Sequence, residues 1–394
     1  MDDLDLILSG GLVYDGRGRS PQLTDIGVKN ARIVHIGDLN SAIARRRLEC
    51  NSLSIAPGFI DAHTHDESFL FGAGDPLAKL SQGVTFECVG LCGKSIFPLY
   101  PKTAQQLKTY LCSALAGAEP DFRWRTWAEL KTRYANSKAN FRQASFVGHG
   151  SLRLAVLGFE RRAPTLQEQA KMELLLMEAL EQGAIGLSLG LSYPPGVFAE
   201  LSELVALAKT TARYGRPVVA HIRSESDGLV EAVQEMIAVT RQSGCRMIIS
   251  HHKAAGRQNY GKVHQTVAMI EIARSEGLEI LFDVYPYTAG STSITALVPP
   301  WAMDGGMERL VHRLNSSNER AQLYREIENG TQWENLSRAS GWDGIIVASC
   351  PAQPDLEGKT LGQIALTANE EPIETLFRLL IETKGHCRVI ILDL

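Results

Sequence analysis

The stretch from Pro217 to His251 reads PVVAHIRSESDGLVEAVQEMIAVTRQSGCRMIISH, and its pattern decides the fold. A short apolar run ends at His221, a segment with apolar residues at helical spacing follows, and a second apolar run ends at His251. The pattern predicts a strand, a helix and another strand, which is typical of a parallel α/β domain. Because one strand–helix repeat separates the two histidines, we expect both at the carboxyl-terminal edge of neighbouring strands.

The same alternation continues on both sides of this stretch. A capping-box pattern at Thr165 predicts a helix before the strand that ends near Leu191, and a further helix precedes the strand that ends near Tyr285. The regular repeat favours a (β/α) barrel over an open sheet. A doubly wound sheet stays possible, because the alternation alone does not distinguish the two.

The pattern also divides the chain into two parts. Residues 1–56 contain short β-like runs separated by turns, which predicts a small β subdomain. Residues 57–394 hold the alternating helices and strands of the predicted barrel. Residues 290–370 are less regular, and we interpret them as an insertion between late barrel strands.

Composition excludes several classes of protein. The 394 residues are 44% hydrophobic and 21% charged, as in an ordinary globular protein, and the net charge of −4 predicts no nucleic-acid partner. No apolar run approaches the roughly 20 residues that a membrane span requires, and the acidic N-terminus is unlike a signal peptide. We therefore expect a cytoplasmic protein without a membrane partner. Its seven dispersed cysteines predict free thiols.

Histidines recur where the predicted strands end. His63 and His65 lie two positions apart in a short apolar run, so in a strand their side chains share one face. A His-x-His pair is by itself a weak signal. With His221 and His251 added, four of the ten histidines fall at three strand ends, which favours a metal site at the mouth of a barrel.

Cys92 extends this pattern. It lies in the loop Gly90-Leu91-Cys92-Gly93, directly after a predicted strand over residues 83–89. Flanking glycines let the backbone and the sulfur approach another group closely. A thiolate suits zinc better than magnesium or calcium. We therefore expect Cys92 to belong with the four histidines.

These segments resemble the D-aminoacylase, or N-acyl-D-amino-acid deacylase, family of the amidohydrolase superfamily. Residues 56–66, APGFIDAHTHD, resemble the opening signature of the superfamily. Further similarity to the deacylases lies in residues 80–85 and 89–93, in 147–153, in 249–253, and in 283–292, which read DVYPYTAGST. The matches occur in order over nearly the whole chain.

The resemblance implies a distorted (β/α)8 barrel with a small β-sandwich built from both chain ends. It also implies a zinc site. Cys92, His221 and His251 would hold a tight zinc ion, and His63 and His65 would hold a second, weaker one.

The resemblance further implies residues that bind the substrate. Lys253 would meet the substrate carboxylate, with Tyr285 and Ser291 lining the same pocket. The sequence itself offers Arg223, two positions after His221, as a second partner for that anion, and a salt bridge at the rim is an equal interpretation.

The implied activity is hydrolysis of the amide of small N-acyl-D-amino acids to a carboxylate and a free D-amino acid. A cyclic-amide hydrolase of the hydantoinase or dihydroorotase type shares the His-x-His strand and is one alternative. A metal-binding paralogue without catalysis is another. The sequence does not decide the acyl group, the amino-acid side chain or the oligomeric state.

The C-terminal part departs from the family pattern. The family's catalytic Asp lies in a Ser-Asp-Gly run on the last barrel strand, and no such run follows Tyr285. We expect that Asp beyond Leu394, together with the last barrel strand and the rest of the β-sandwich, so that turnover by this chain is weak or absent. Asp393 is a candidate substitute at the end of the apolar run 388–392, although a chain end holds a carboxylate poorly.

Overall fold

The computed structural model describes residues 3–71, 75–115, 120–135 and 142–393. The first strands of this part are β1 Leu4–Val13, β2 Gln22–Lys29, β3 Arg32–Gly37, β4 Ala44–Glu49, β5 Ser54–Ile55, β6 Phe59–Asp61, β7 Val84–Val89 and β8 Arg142–Ser145. The later strands are β9 Val147–Gly148, β10 Leu187–Gly190, β11 Pro217–His221, β12 Arg246–Ile249, β13 Ile280–Phe282, β14 Ala289–Ser293, β15 Ile345–Ser349 and β16 Arg388–Leu392.

Helices occupy much of the remaining described chain. They are α1 Leu77–Leu80, α2 Ala104–Tyr110, α3 Cys112–Leu115, α4 Trp127–Ala135, α5 His149–Val156, α6 Leu166–Glu181, α7 Leu201–Arg213, α8 Leu229–Ser243, α9 Lys262–Ser275, α10 Met307–Asn315, α11 Ser317–Asn329, α12 Leu336–Ser340, α13 Leu361–Ala368 and α14 Pro372–Thr383. Within the described ranges, no helix is long and apolar enough to cross a membrane.

Two compact units make up the chain. One comprises residues 1–60 and 79–86, and the other comprises residues 61–78 and 87–394. The first unit contains a sheet in the order β3-β2-β1-β4, in which β5 also pairs with β1. Strand β2 pairs antiparallel with β1, and β3 pairs antiparallel with β2. Strands β4 and β5 run parallel to β1. A small β unit at the N-terminus was expected, and the domain boundary at residue 56 stays a prediction.

The second unit is organised by a parallel sheet in the order β13-β12-β11-β10-β9. Each strand pairs with the next one along the chain, in register from Leu187 opposite Val218 to Ile249 opposite Phe282. A doubly wound sheet would reverse its strand order near the middle. No reversal occurs in this sheet, so the barrel alternative is the one that the structure supports.

Sequence periodicity predicted the helices between these strands well. The capping box at Thr165 forms as expected, because the Thr165 side chain accepts from the backbone of Glu168 and the Glu168 side chain accepts from the backbone of Thr165. Helix α8 ends at Gly244 in the left-handed conformation that favours glycine. The α7 and α8 residues Leu204 and Val233 are completely buried and belong to the main hydrophobic core.

The segment near the C-terminus adopts a different pairing from the parallel strands. Strand β16 is the middle strand of an antiparallel sheet in the order β14-β16-β15. Residues 290–370, interpreted as an irregular insertion, contain β15 and the helices α10 to α13. Asp393 follows β16 with a φ of 57°, and its carboxylate lies 3.3 Å from the guanidinium of Arg257.

A buried ionic cluster connects two of the helices. Arg153 on α5 and Glu203 on α7 form a salt bridge, and His149 Nε2 lies 2.7 Å from the other carboxylate oxygen of Glu203. The side chains of Arg153 and His149 are fully buried. Burial alone would raise the pKa of Glu203, but the contacts with His149 and Arg153 lower it, so this carboxylate stays charged inside the protein.

We expect Arg153→Met to lower the free energy of unfolding by about 3–5 kcal/mol, because it leaves a buried carboxylate without its guanidinium partner. Urea unfolding measures the change. Arg162→Met is the control, since Arg162 forms its salt bridges with Glu160 and Glu168 at the surface and should cost less than about 1 kcal/mol. Equal losses in the two variants would contradict the prediction.

Candidate metal centre

Five side chains that the sequence singled out lie together where strands end. His63 and His65 follow β6, Cys92 follows β7, His221 is the last residue of β11, and His251 follows β12. Two groups of possible ligand atoms result, one from His63, His65 and Cys92 and one from Cys92, His221 and His251. Within each group these atoms lie within 4.8 Å of one another. Cys92 belongs to both groups, so its sulfur is the centre of the cluster.

Short distances orient the imidazole rings toward this sulfur. The Nε2 atoms of His63 and His251 each lie 3.5 Å from the Cys92 Sγ. His221 Nδ1 lies 2.9 Å from His251 Nε2, and the His221 Nε2 lies 2.7 Å from the hydroxyl of Ser192. The neighbouring His252 is not part of the cluster, because its Nε2 is hydrogen-bonded to Thr266 at 2.9 Å.

The backbone at the cluster has an uncommon conformation. Cys92 has a φ of 51° and His251 a φ of 38°, which places both in the left-handed region that L-residues rarely adopt. Such conformations cost on the order of 1–3 kcal/mol each and concentrate at functional sites. Gly190 permits the arrangement, because a Cβ on this residue would lie 2.2 Å from the carbonyl oxygen of Cys92.

The electrostatics of the cluster favour a cation. Burial alone would raise the pKa of the Cys92 thiol, but His65 and His63 hold this pKa well below its usual range, so the sulfur is a thiolate. Burial lowers the pKa of His63, yet Cys92 and Asp283 raise it to about 10. Burial likewise lowers the pKa of His251, and Glu225 together with Cys92 raises it to about 9. The thiolate and the two carboxylates therefore make the cluster negative enough to favour a bound positive charge.

The two acidic residues beside these rings, Asp283 and Glu225, were not singled out from the sequence. The Oδ2 of Asp283 lies 3.1 Å from His63 Nδ1, and its Oδ1 accepts the backbone N–H of His251. Glu225 lies 2.5 Å from His251 Nδ1 and also forms a salt bridge with Lys253. Burial would raise the pKa of Glu225, but His251 and Lys253 hold it far below its usual range. Each of the two acids lies within four residues of a strand end. That position in the sequence could have indicated that they belong to the site.

A cavity of about 680 Å³ surrounds the cluster. Of the predicted substrate-binding residues, Lys253, Tyr285 and Ser291 line this cavity. The ammonium of Lys253 lies 5.2 Å from the centre of the Tyr285 ring. Arg223 and Asp393 are not among the lining residues. Arg223 instead binds Glu235 through two nitrogens, at 3.0 and 2.8 Å, so its predicted role in binding an anion stays a prediction.

The donor set fits a transition-metal ion. Thiolate and imidazole together are ligands that zinc prefers, and the set contains one thiolate and four imidazoles. The Nδ1 of His65 is buried and makes no hydrogen bond with the described residues, which leaves a lone pair available for a ligand. The partners of His63 and His251 are carboxylates on the ring nitrogen that faces away from the sulfur, the usual arrangement behind metal-binding histidines.

The fold and the cluster define a class of protein, the barrels that bring metal-binding side chains together at the carboxyl ends of parallel strands. N-acyl-D-glutamate deacylase from Alcaligenes xylosoxydans xylosoxydans is 40% identical over 296 residues, which are 74% of this chain and 58% of that relative. The chain therefore spans less than two thirds of the length of that curated relative. No protein-family model matches the chain.

Solved structures are similar over nearly the whole chain. N-acyl-D-glutamate deacylase from Bordetella bronchiseptica, complexed with zinc and a phosphonate inhibitor, is 31% identical with a TM-score of 0.80, over 100% of this chain and 72% of that one. D-aminoacylase with a binuclear metal centre is 30% identical with a TM-score of 0.78, over 99% of this chain and 71% of that one. The chain belongs to the D-aminoacylase, or N-acyl-D-amino-acid deacylase, family of amidohydrolases, whose fold is a (β/α)8 barrel with a β-sandwich.

We expect Gly190→Ala to displace the Cys92 loop and to lower the free energy of unfolding by about 1–3 kcal/mol, because the added methyl group meets backbone atoms that cannot rotate away. Denaturant unfolding measures the loss. Gly261→Ala is the matched control, since its Cβ would meet nothing within 4 Å. If both variants unfold like the unmodified chain, Gly190 is not needed for the close approach.

Proposed function

We propose that this chain is a zinc-dependent hydrolase that cleaves small N-acyl-D-amino acids to a carboxylate and a free D-amino acid. The observation that supports this most is the position of Cys92 between two histidine pairs, in a cavity that Lys253 also lines. The relatives reported above support it as well, since they are deacylases of N-acyl-D-amino acids and one of them binds zinc.

In this proposal, Cys92, His221 and His251 would hold a tight zinc ion, and His63 and His65 would hold a second, weaker one. A bound zinc ion supplies Lewis acidity, which polarises an amide carbonyl and makes water a better nucleophile near neutral pH. Cys92 is a member of both groups of possible ligand atoms, which supports this assignment of residues.

The surrounding acids keep the histidines in the required tautomer. Asp283 accepts a hydrogen bond from His63 Nδ1, and Glu225 lies 2.5 Å from His251 Nδ1. In both rings Nε2 faces Cys92, and it would offer its lone pair to a metal ion once the ring has lost its second proton. The two carboxylates therefore position ligands and do not need to contact the substrate.

Lys253 would bind the carboxylate of the amino acid. Burial would lower the pKa of Lys253, but Glu225 and Tyr285 raise it, so its ammonium stays charged. Tyr285 and Ser291 line the same cavity and would lie beside that carboxylate. A substrate held at its carboxylate by Lys253 presents its amide toward His251, whose Nδ1 lies 3.5 Å from the Lys253 ammonium.

Metal analysis tests the ligand assignment. We expect Cys92→Ala to lose tightly bound zinc, measured by mass spectrometry of the dialysed protein. Cys88→Ala is the matched control, because Cys88 is half-buried on β7 and burial raises the pKa of its thiol to about 11. Cys88→Ala should keep the zinc. Unchanged zinc content in Cys92→Ala would show that the thiolate is not a ligand.

Turnover tests the activity and the role of Lys253. We expect slow hydrolysis of N-acetyl-D-amino acids, because no Ser-Asp-Gly run follows Tyr285, and no hydrolysis of their L-enantiomers. Lys253→Met should lower kcat/KM about 10–100-fold for the acid, because a charged hydrogen bond is lost, but not for the matching N-acyl amine that has no carboxylate. Lys262→Met, on α9 and outside the cavity, should change neither rate.

Two outcomes would favour other functions. Hydrolysis of a hydantoin in place of N-acetyl-D-amino acids would favour the cyclic-amide alternative. Full zinc content without turnover of either substrate would favour a metal-binding protein that is not an enzyme. Absence of zinc after growth with zinc would contradict the proposed site itself.

A further inference from the structure

A second and larger cavity adjoins the one that contains the metal cluster. It measures about 1180 Å³, and the two cavities have Ser192, Pro300, Trp333 and Glu334 as common lining residues. It is lined by helix α8, by the segment after β10, and by the segments around Pro300 and Trp333. This second cavity alone is larger than the roughly 300–1,000 Å³ of a typical small-molecule site. An N-acetyl substrate bound at the cluster would therefore leave it unfilled.

One shared residue connects the cavity with the cluster. The Ser192 hydroxyl lies 2.7 Å from His221 Nε2 and also lines the second cavity. His221 contacts His251, and the ammonium of Lys253 lies 3.5 Å from the opposite nitrogen of His251. The sequence of contacts therefore runs from Lys253 through the two rings to Ser192. Lys253 and Ser192 are therefore the two ends of this series of contacts.

This order fixes the direction of a bound substrate. The carboxylate and the side chain of an N-acyl amino acid are on one side of the scissile C–N bond, and the acyl group is on the other side. If Lys253 holds the carboxylate, the acyl group extends away from it, past His221 toward Ser192. The second cavity begins at that residue.

The lining of the second cavity suits an uncharged group. Its charged residues are four carboxylates, Glu231, Glu235, Glu326 and Glu334, and two guanidinium groups, Arg161 and Arg223. Arg223 is bound by Glu235, and Glu326 accepts from the Trp301 indole at 2.7 Å. An anionic group would meet an excess of negative charge there.

Apolar side chains complete the lining. They come from three places in the chain and include Val197, Phe198, Ala238 and Trp301. Aromatic and aliphatic groups of this kind gain from covering an alkyl chain or an aryl ring, because burial removes both surfaces from water.

We propose that this second cavity receives the acyl group, and that the substrates are N-acyl-D-amino acids with a long, uncharged acyl chain or an arylalkyl acyl group. This inference rests on the proposed function and adds the acyl specificity to it. The acetyl group would fill only the region near Ser192, whereas an octanoyl group would bury six further methylenes in the second cavity. Octanoyl substrates should therefore exceed acetyl substrates in kcat/KM by at least about 30-fold.

The test compares kcat/KM for N-octanoyl and N-acetyl derivatives of the same D-amino acid, using the zinc-loaded chain. Ala238→Phe places a ring in the second cavity from α8, and we expect the octanoyl-to-acetyl ratio to fall at least about tenfold. Ala206→Phe is the matched control, since Ala206 is half-buried on α7 and lines neither cavity. Its ratio should equal that of the unmodified chain.

Binding provides a second measurement that does not depend on turnover. Calorimetry with octanoate and with acetate, the carboxylate products, should show tighter binding of octanoate, and Ala238→Phe should remove the difference. Equal affinities, or an octanoyl-to-acetyl ratio that Ala238→Phe leaves unchanged, would overturn the inference and leave the proposed function standing. No turnover of any N-acyl-D-amino acid would overturn the proposed function, and octanoate binding would still decide the use of the cavity.

Discussion

A buried thiolate among four imidazoles is the interaction on which the rest of this structure depends. Burial of a charge costs free energy unless opposite charge and hydrogen bonds surround it. At Cys92 the histidines supply this surrounding, and it lowers the pKa of the thiol well below its usual range. The histidines are held in turn by the carboxylates of Asp283 and Glu225. The carboxylates thus position the histidine rings, and the rings in turn stabilise the thiolate.

The barrel makes this arrangement possible because its parallel strands all end at the same edge. Four strands bring the cluster residues there, since β11 ends on His221 and the other four residues follow the ends of β6, β7 and β12. Cys92 and His251, directly after two of these strands, are in the left-handed conformation that concentrates at functional sites. The absence of a side chain at Gly190 completes the fit, because only a glycine leaves room for the carbonyl of Cys92.

Charge divides the space around the cluster into two regions. On one side, Lys253 remains charged between Glu225 and Tyr285, which suits the carboxylate of an amino acid. On the other side, beyond Ser192, apolar residues and an excess of carboxylates line the larger cavity, which suits an uncharged group. An N-acyl amino acid has the same asymmetry, with an anion at one end and an alkyl or aryl group at the other. The proposed orientation of the substrate follows from this match.

The sequence by itself determined the alternation of strands and helices, because apolar spacing and helix caps are local properties of the chain. It also predicted that His63, His65, Cys92, His221 and His251 come together, since strand ends in a barrel share one edge. Only the tertiary structure decided which groups support them. Asp283 reaches His63 across 220 residues, and β16 pairs antiparallel with β14 and β15. The partner of Arg223 is Glu235, a choice that the sequence left open. Such contacts depend on the distances between folded segments, and no local pattern in the chain encodes those distances.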